Sequence, residues 1–205
     1  MKWWRTLKDR LAQQRLTDQQ FAFLFEPQRH NDEIICFDTE TTSLDIHRAE
    51  ILTIGAVPVL GNRILMSRRL KLLVRPSGTL DPDNIRIHGL RPCDVADGLP
   101  VEEAMRQFLH YIGNRPLLGY YLEFDVAMIN KYVTPWLGVE LPNERIEVSA
   151  LYHNRAIGLI PSRPVDLSFN AILQTLNVTA SNQHDALSDA IATALIYIKL
   201  QQPVP

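Results

Sequence analysis

Asp38 and Glu40 stand two residues apart in Ile34-Ile35-Cys36-Phe37-Asp38-Thr39-Glu40-Thr41-Thr42, a run rich in strand formers. Side chains alternate along a strand, so both carboxylates project to one side, roughly 6–7 Å apart. Beside Ile34, Ile35 and Phe37, two acids repel each other and lose solvation unless something positive sits between them, and a divalent cation answers that need. A strand end running into solvent is the simpler reading of the same pair, and the rest of the chain decides between the two. A third acid, Asp125, opens the apolar helix Phe124-Asp125-Val126-Ala127-Met128-Ile129-Asn130-Lys131-Tyr132. It serves there either as a partner of the helix dipole or as part of a site, and Ile129 and Tyr132 at i+4 and i+7 turn its face inward. Near the C-terminus comes His184-Asp185-Ala186-Leu187-Ser188-Asp189-Ala190. Leu187, Ile191, Leu195 and Ile198 form one stripe, whereas Asp189 shares another face with the small residues Ala186 and Thr193, a face suited to close approach to a sheet. His184 falls in the preceding loop or first turn, where an imidazole stays near solvent or simply caps the helix. Asp185 competes with Asp189 for the inward role, and spacing leaves that choice open.

These residues need a frame, and the pattern of the chain supplies one. Strands are expected at 33–40, 51–59 and 63–74, with Gly61-Asn62 as the turn between the last two, which makes an antiparallel meander. A loop-rich stretch follows, with prolines at 76, 82, 92 and 100. Val101, Ala104, Met105, Phe108, Leu109 and Ile112 predict a helix over 101–113. After it come a short strand at 116–120, a helix over 124–136, a short strand at 146–148, and helices over 166–176 and 185–200. Three strands followed by alternating helices and strands predict an α/β fold, with a mixed five-stranded sheet (three antiparallel strands, then two parallel) flanked by helices. Residues 1–30 read as an N-terminal helical extension: Trp3, Leu7 and Leu11 share a face, and Thr17-Asp18-Gln19-Gln20 resembles a capping box opening a second short helix. That extension is expected to pack on the domain or on a partner protein rather than on a membrane surface. Residues 31–205 make the single main domain.

Composition narrows the setting. With 205 residues, 46% hydrophobic and 21% charged, the chain suits one folded domain. No run approaches the roughly 20 apolar residues of a membrane span, and the start is too charged for a signal peptide. Two cysteines, one in a strand and one in a distant loop, do not make a disulfide framework, so a cytoplasmic setting is expected. A net charge of −2 gives no global nucleic-acid signature. Arg63, Arg68, Arg69, Lys71 and Arg75 form a basic stretch without an acid, either an edge strand protected by charge or a phosphate-binding flank.

Taken in order, Asp-x-Glu on a strand, Asp at a helix start and His-x-x-x-x-Asp on a final helix resemble the DEDDh group of 3′–5′ exonucleases. These are the DnaQ-like proteins of ribonuclease H-like fold, which include the proofreading epsilon subunit of bacterial DNA polymerase III and RNase T. Asp38-Thr39-Glu40-Thr41-Thr42-Ser43 is similar to the family's first motif, with Ser43 where Gly is usual, and Ile87-His88-Gly89-Leu90 is similar to its Ile-His-Gly-Ile turn. The middle motif departs from the usual His-Asn-Ala-x-Phe-Asp, reading Tyr120-Tyr121-Leu122-Glu123-Phe124-Asp125. The resemblance spans about residues 33–200. It implies that Asp38, Glu40, Asp125 and Asp189 hold two Mg²⁺ or Mn²⁺ ions, with His184 as the general base. It further implies that Thr39, Thr41, Leu44, Asp83, His88 and Phe124 contact the substrate, and that nucleoside monophosphates leave the 3′ end of DNA. The rival expectations are the same chemistry on RNA, and a catalytically idle nucleic-acid-binding or polymerase-interaction module. Because the chain ends at Pro205, just past the last helix, a stand-alone or differently partnered enzyme is expected.

Overall fold

Strand β1, Glu33–Thr41, divides the molecule into two packed faces. Its alternate side chains go to opposite sides: Ile35 and Phe37 join one apolar cluster, Ile34 and Cys36 the other. The structure is a computed structural model and describes residues 11–26, 32–78, 89–159, 164–180 and 185–203. Five further strands are β2 (Ile51–Leu60), β3 (Arg63–Ile64), β4 (Leu70–Leu73), β5 (Leu117–Gly119) and β6 (Arg145–Glu147). The five principal helices are α1 (Val101–Ile112), α2 (Leu122–Leu137), α3 (Val148–Leu159), α4 (Phe169–Thr175) and α5 (Ala186–Gln201). The sheet runs β3-β2-β1-β5-β6, with β4 also paired to β2. Pairing is antiparallel among β1 to β4 and parallel for β1–β5 and β5–β6.

The expected meander is present, but its third strand is two strands, so the sheet has six. The cause is Pro58. Its carbonyl points to the β3 edge and accepts from the Leu65 N–H at 2.9 Å, yet proline has no N–H to return. The ladder stops there, Met66–Arg68 makes a 3₁₀ turn, and pairing resumes at Ala56 with Leu70.

Helices α1 and α2 cover one face, where Phe108 meets Phe37 with ring centroids 5.1 Å apart. Helices α3, α4 and α5 contribute to the other cluster. Helix α3 has no counterpart in the sequence reading: Val148 and Tyr152 are buried, but half-buried and exposed residues interleave them without a stripe. Helix α4 begins at Phe169 rather than 166, because the Asp166 side chain accepts the Ser168 N–H at 2.9 Å in a turn ahead of it. Near the start, Gln19–Phe25 is a 3₁₀ helix capped by Asp18, whose carboxylate accepts from the Gln20 N–H. The Thr17 hydroxyl donates instead to the Trp136 carbonyl. Phe21 is buried edge-on against Trp136. Of the Trp3-Leu7-Leu11 face only Leu11 lies among the described residues, and it is exposed. Cys36 and Cys93 are both free thiols. Among the described residues no helix is long and apolar enough to cross a membrane.

Candidate active site

The acids of β1 meet the last helix because one residue opposite them has no side chain. Asp38 pairs across the ladder with Gly55, and the first turn of α5 rests on that glycine. A Cβ on Gly55 would lie 2.1 Å from the Leu187 nitrogen, far inside contact distance, so only glycine admits the helix. The close approach brings one carboxylate oxygen each of Asp38, Glu40 and Asp189 within 4.8 Å of one another. Asp185 is employed otherwise: it caps α5, accepting from the Leu187 N–H at 3.4 Å, and it pairs with Lys71 Nζ at 3.0 Å.

Asp125 arrives from the other side. The Ile35 N–H of β1 already bonds the Pro116 carbonyl next to β5, and two residues per repeat later the Thr39 N–H points the same way. By then β5 has ended at Gly119. Asp125 Oδ1 stands in for the missing strand, accepting the Thr39 N–H at 2.9 Å and the Thr39 hydroxyl at 2.6 Å. It lies outside the tight trio of oxygens, though its charge is felt at Asp38.

Helix α2, which carries Asp125, starts from an unusual cap. Tyr121 sits in the left-handed region with φ of 56° and makes no side-chain cap, a conformation that costs roughly 1 kcal/mol for a residue with a Cβ. The cap is supplied by Glu147 at the end of β6, which accepts from the Tyr121 N–H at 3.2 Å and the Leu122 N–H at 2.8 Å. The same carboxylate accepts from the Ser149 hydroxyl at 2.7 Å. Gly55 and Glu147 were not singled out in the sequence. Each acts through a partner far along the chain, which no local spacing displays.

Electrostatics separates these acids from ordinary surface ones. Burial lifts the Asp38 carboxyl well above the usual range, and Asp125, Glu40, Asp189 and Asp185 push it further. Burial, then Asp189, Asp185 and Asp125, raise Glu40 to about 7. Asp125 also reaches about 7: burial raises it, the two Thr39 hydrogen bonds pull it down, and Glu147 adds to the rise. Among the described residues no Lys or Arg pairs with Asp38 or Glu40. Clustered carboxylates in such a place keep their charge only if a cation joins them. The donors are all hard oxygens, which suits Mg²⁺ or Mn²⁺ and gives no reason to expect a thiolate-held ion. The residues present therefore fit a divalent metal.

The remaining expected residues scatter. The Thr41 hydroxyl donates to the Ser43 carbonyl at 2.9 Å. Leu44 is 81% exposed, so it is not core. Phe124 packs partly on the core cluster and stacks on Tyr121 with centroids 6.3 Å apart. Asp83, His88 and His184 lie outside the described residues. In the basic stretch, Arg68 is bound to Glu33 and Lys71 to Asp185, so those two side chains have protein partners.

Relatives place this geometry in context. Residues 35–197 match the family model of the RNase T exonucleases. The chain is 27% identical over 167 residues to DNA polymerase III subunit epsilon of Aquifex aeolicus, covering 81% of this chain and 79% of that one. It is 25% identical over 169 residues to the PolC-type DNA polymerase III of Thermotoga petrophila, but spans only 12% of that much longer chain. Exonuclease X in complex with 5′ overhanging duplex DNA superposes with a TM-score of 0.61 at 26% identity, covering 82% of this chain and 90% of that one. Escherichia coli exonuclease I with a dT13 oligonucleotide, at 18% identity and a TM-score of 0.65, shares the fold over 82% of this chain and 40% of its own. The sheet and its helices are thus the ribonuclease H-like arrangement of these enzymes. A family match that runs from the strand of Asp38 and Glu40 into the helix of Asp189 takes in most of the chain, and this protein belongs to the RNase T family of exonucleases.

Proposed function

We propose that this chain is a metal-dependent 3′–5′ exonuclease of the DEDDh type that releases nucleoside monophosphates from single-stranded DNA. One observation carries the reading: in an exonuclease of this family, Asp38, Glu40 and Asp189 bring carboxylate oxygens within 4.8 Å of one another, where burial and neighbouring acids raise the Asp38 and Glu40 carboxyls. Asp38, Glu40 and Asp189 would hold divalent ions, with Asp125 contributing the oxygen that Thr39 does not take. Bound Mg²⁺ or Mn²⁺ supplies Lewis acidity toward the scissile phosphate and lowers the pKa of a coordinated water. His184, one residue before the Asp185 cap, would take the proton from the attacking water, its unperturbed pKa near 6.5 suiting neutral pH. Thr39 orients Asp125 through two hydrogen bonds, and Gly55 admits the helix that bears Asp189. Thr41, Leu44, Asp83, His88 and Phe124 would contact the terminal nucleotides. DNA is favoured over RNA because exonuclease X, at 26% identity, was solved with duplex DNA. Residues 1–30 are read as an extension on an exonuclease domain of residues 31–205, with Leu16, Phe21 and Leu24 packed into that domain's core and a protein partner proposed for the rest of the segment.

The test is digestion of matched single-stranded DNA, RNA and duplex ends with Mg²⁺ or Mn²⁺, comparing wild type, Asp38→Ala and His184→Ala. Wild type should shorten DNA from the 3′ end, and each variant should lose at least about a thousandfold in rate, the several kcal/mol that metal and base contribute. Undiminished digestion by Asp38→Ala would overturn the assignment. Faster digestion of RNA than DNA would move the substrate, and an inert wild type that still binds metal would make it an idle module.

A further inference from the structure

We propose that Tyr121 is a specificity-determining residue, a stacking platform for a base near the 3′ end of the bound strand. The inference rests on the exonuclease reading above and deepens it. Four observations converge on this side chain. First, its backbone is left-handed, φ 56°, a position where Gly or Asn sits at less cost and where a bulky aromatic is unfavourable. Second, the residue is 68% exposed, so little apolar burial compensates for that backbone. Third, it is ordered: Glu147 accepts both its own N–H and that of Leu122, and its ring lies nearly parallel to Phe124, 17° between planes at 6.3 Å. Fourth, it is the N-cap of α2, four residues and so about one helical turn before Asp125. An exposed aromatic held in a strained backbone one turn from Asp125 points to use by a ligand.

The chemistry that would use it is a nucleobase. Every base offers a flat π face, and stacking on an aromatic ring holds single strands without reading their sequence. With the phosphate drawn to the acids, a base attached through its sugar would meet the platform at the head of α2, one turn from Asp125. Phe124 beneath Tyr121 stiffens that platform, so little side-chain freedom is lost when a base lands on it.

The test pairs protein variants with substrates that have or lack the base. Steady-state digestion is measured for wild type, Tyr121→Asn and Tyr121→Phe on single-stranded DNA carrying ordinary bases or abasic sites at its last two nucleotides. For wild type the abasic substrate should raise KM about tenfold, the scale of one base–aromatic stack. Tyr121→Asn should raise KM about tenfold on the ordinary substrate, with kcat near wild type, and should no longer distinguish the abasic one. Tyr121→Phe, which keeps the π face, should restore the discrimination. Melting of Tyr121→Asn should be no lower than wild type, since Asn tolerates the left-handed backbone. An active wild type whose KM is unmoved by Tyr121→Asn, or a variant that loses kcat equally on both substrates, would overturn the platform. A wild type that digests nothing would overturn the exonuclease reading itself, and the platform with it.

Discussion

Strand β1 carries acids at both of its ends, Glu33 buried and Asp38 and Glu40 half-buried, and the protein treats them in opposite ways. At the N-terminal end, Glu33 is 4% exposed and lies between two cations: Arg68 grips both oxygens at 2.8 Å and Arg115 bonds one of them. Burial alone would raise that carboxyl, but the two guanidinium groups outweigh it and hold it below its ordinary value. At the C-terminal end, Asp38 and Glu40 have neighbours of their own sign, and their carboxyls rise. A carboxylate with built-in cations is a clamp, satisfied before anything binds. One surrounded by acids stays electrostatically unfinished until a cation arrives from outside. The candidate site lies at the end where that charge is left unbalanced.

The largest effect should come from removing the clamp. Glu33→Gln leaves the largely buried Arg115 without its counter-charge and should cost about 3 kcal/mol, since breaking a buried pair strands the remaining ion. For a chain of this size that is a fall of roughly 6–12 °C in Tm by calorimetry, with metal affinity unchanged. Glu40→Gln, at the unfinished end, should instead raise the Tm of the metal-free protein at pH 8. Shifts of equal sign at the two ends would break the comparison.

Gly55→Ala sharpens it by perturbing only one end. The added methyl meets backbone of α5 at 2.1 Å, so the helix must move, at a cost of about 2 kcal/mol. Because Asp189 moves with it, digestion should fall by more than tenfold while Glu33 and its arginines are undisturbed. Activity near wild type would show that Asp189 does not need its place beside β1.

The smallest effect is in pH. Glu40 and Asp125 hold protons in the folded state up to about 7 that the unfolded chain releases near 4. Folded protein therefore binds more protons between those values, and without metal its stability should fall as pH rises from about 4 to about 7, then level off. Glu33, with its lowered value, acts with the opposite sign, losing its contribution only in acid. Melting in EDTA across that window should decline relative to Glu40→Gln by a few degrees, and saturating Mn²⁺ should flatten the difference. A rise of wild type relative to Glu40→Gln over the same window would contradict the unfinished-site picture.

Much of this site was legible because short-range spacing carries it. Alternation along 34–42 put Asp38 and Glu40 on one side, helical periodicity separated Asp189 from the apolar stripe of α5, and the two acids are close in the fold. The choice between Asp185 and Asp189 was not legible, since it turns on Lys71, more than a hundred residues upstream. The place of Asp125 in the first turn of its helix was legible, but not that Thr39 would occupy one of its oxygens. The division of the third strand required knowing which edge the missing N–H of Pro58 faces. Helix α3 escaped because its burial is discontinuous.

The last helix is a beam laid on the sheet and tied at both ends. At its head, Asp185 is tied to Lys71 of β4. At its foot, Arg155 Nη1 donates to the carbonyls of Lys199, Leu200 and Gln202 at 2.9–3.0 Å. Sixteen residues at 1.5 Å each put those supports roughly 24 Å apart. Between those supports the helix lies on β1 and β2, so α3 and β4 brace from its two ends the rod that carries Asp189 in its first turn.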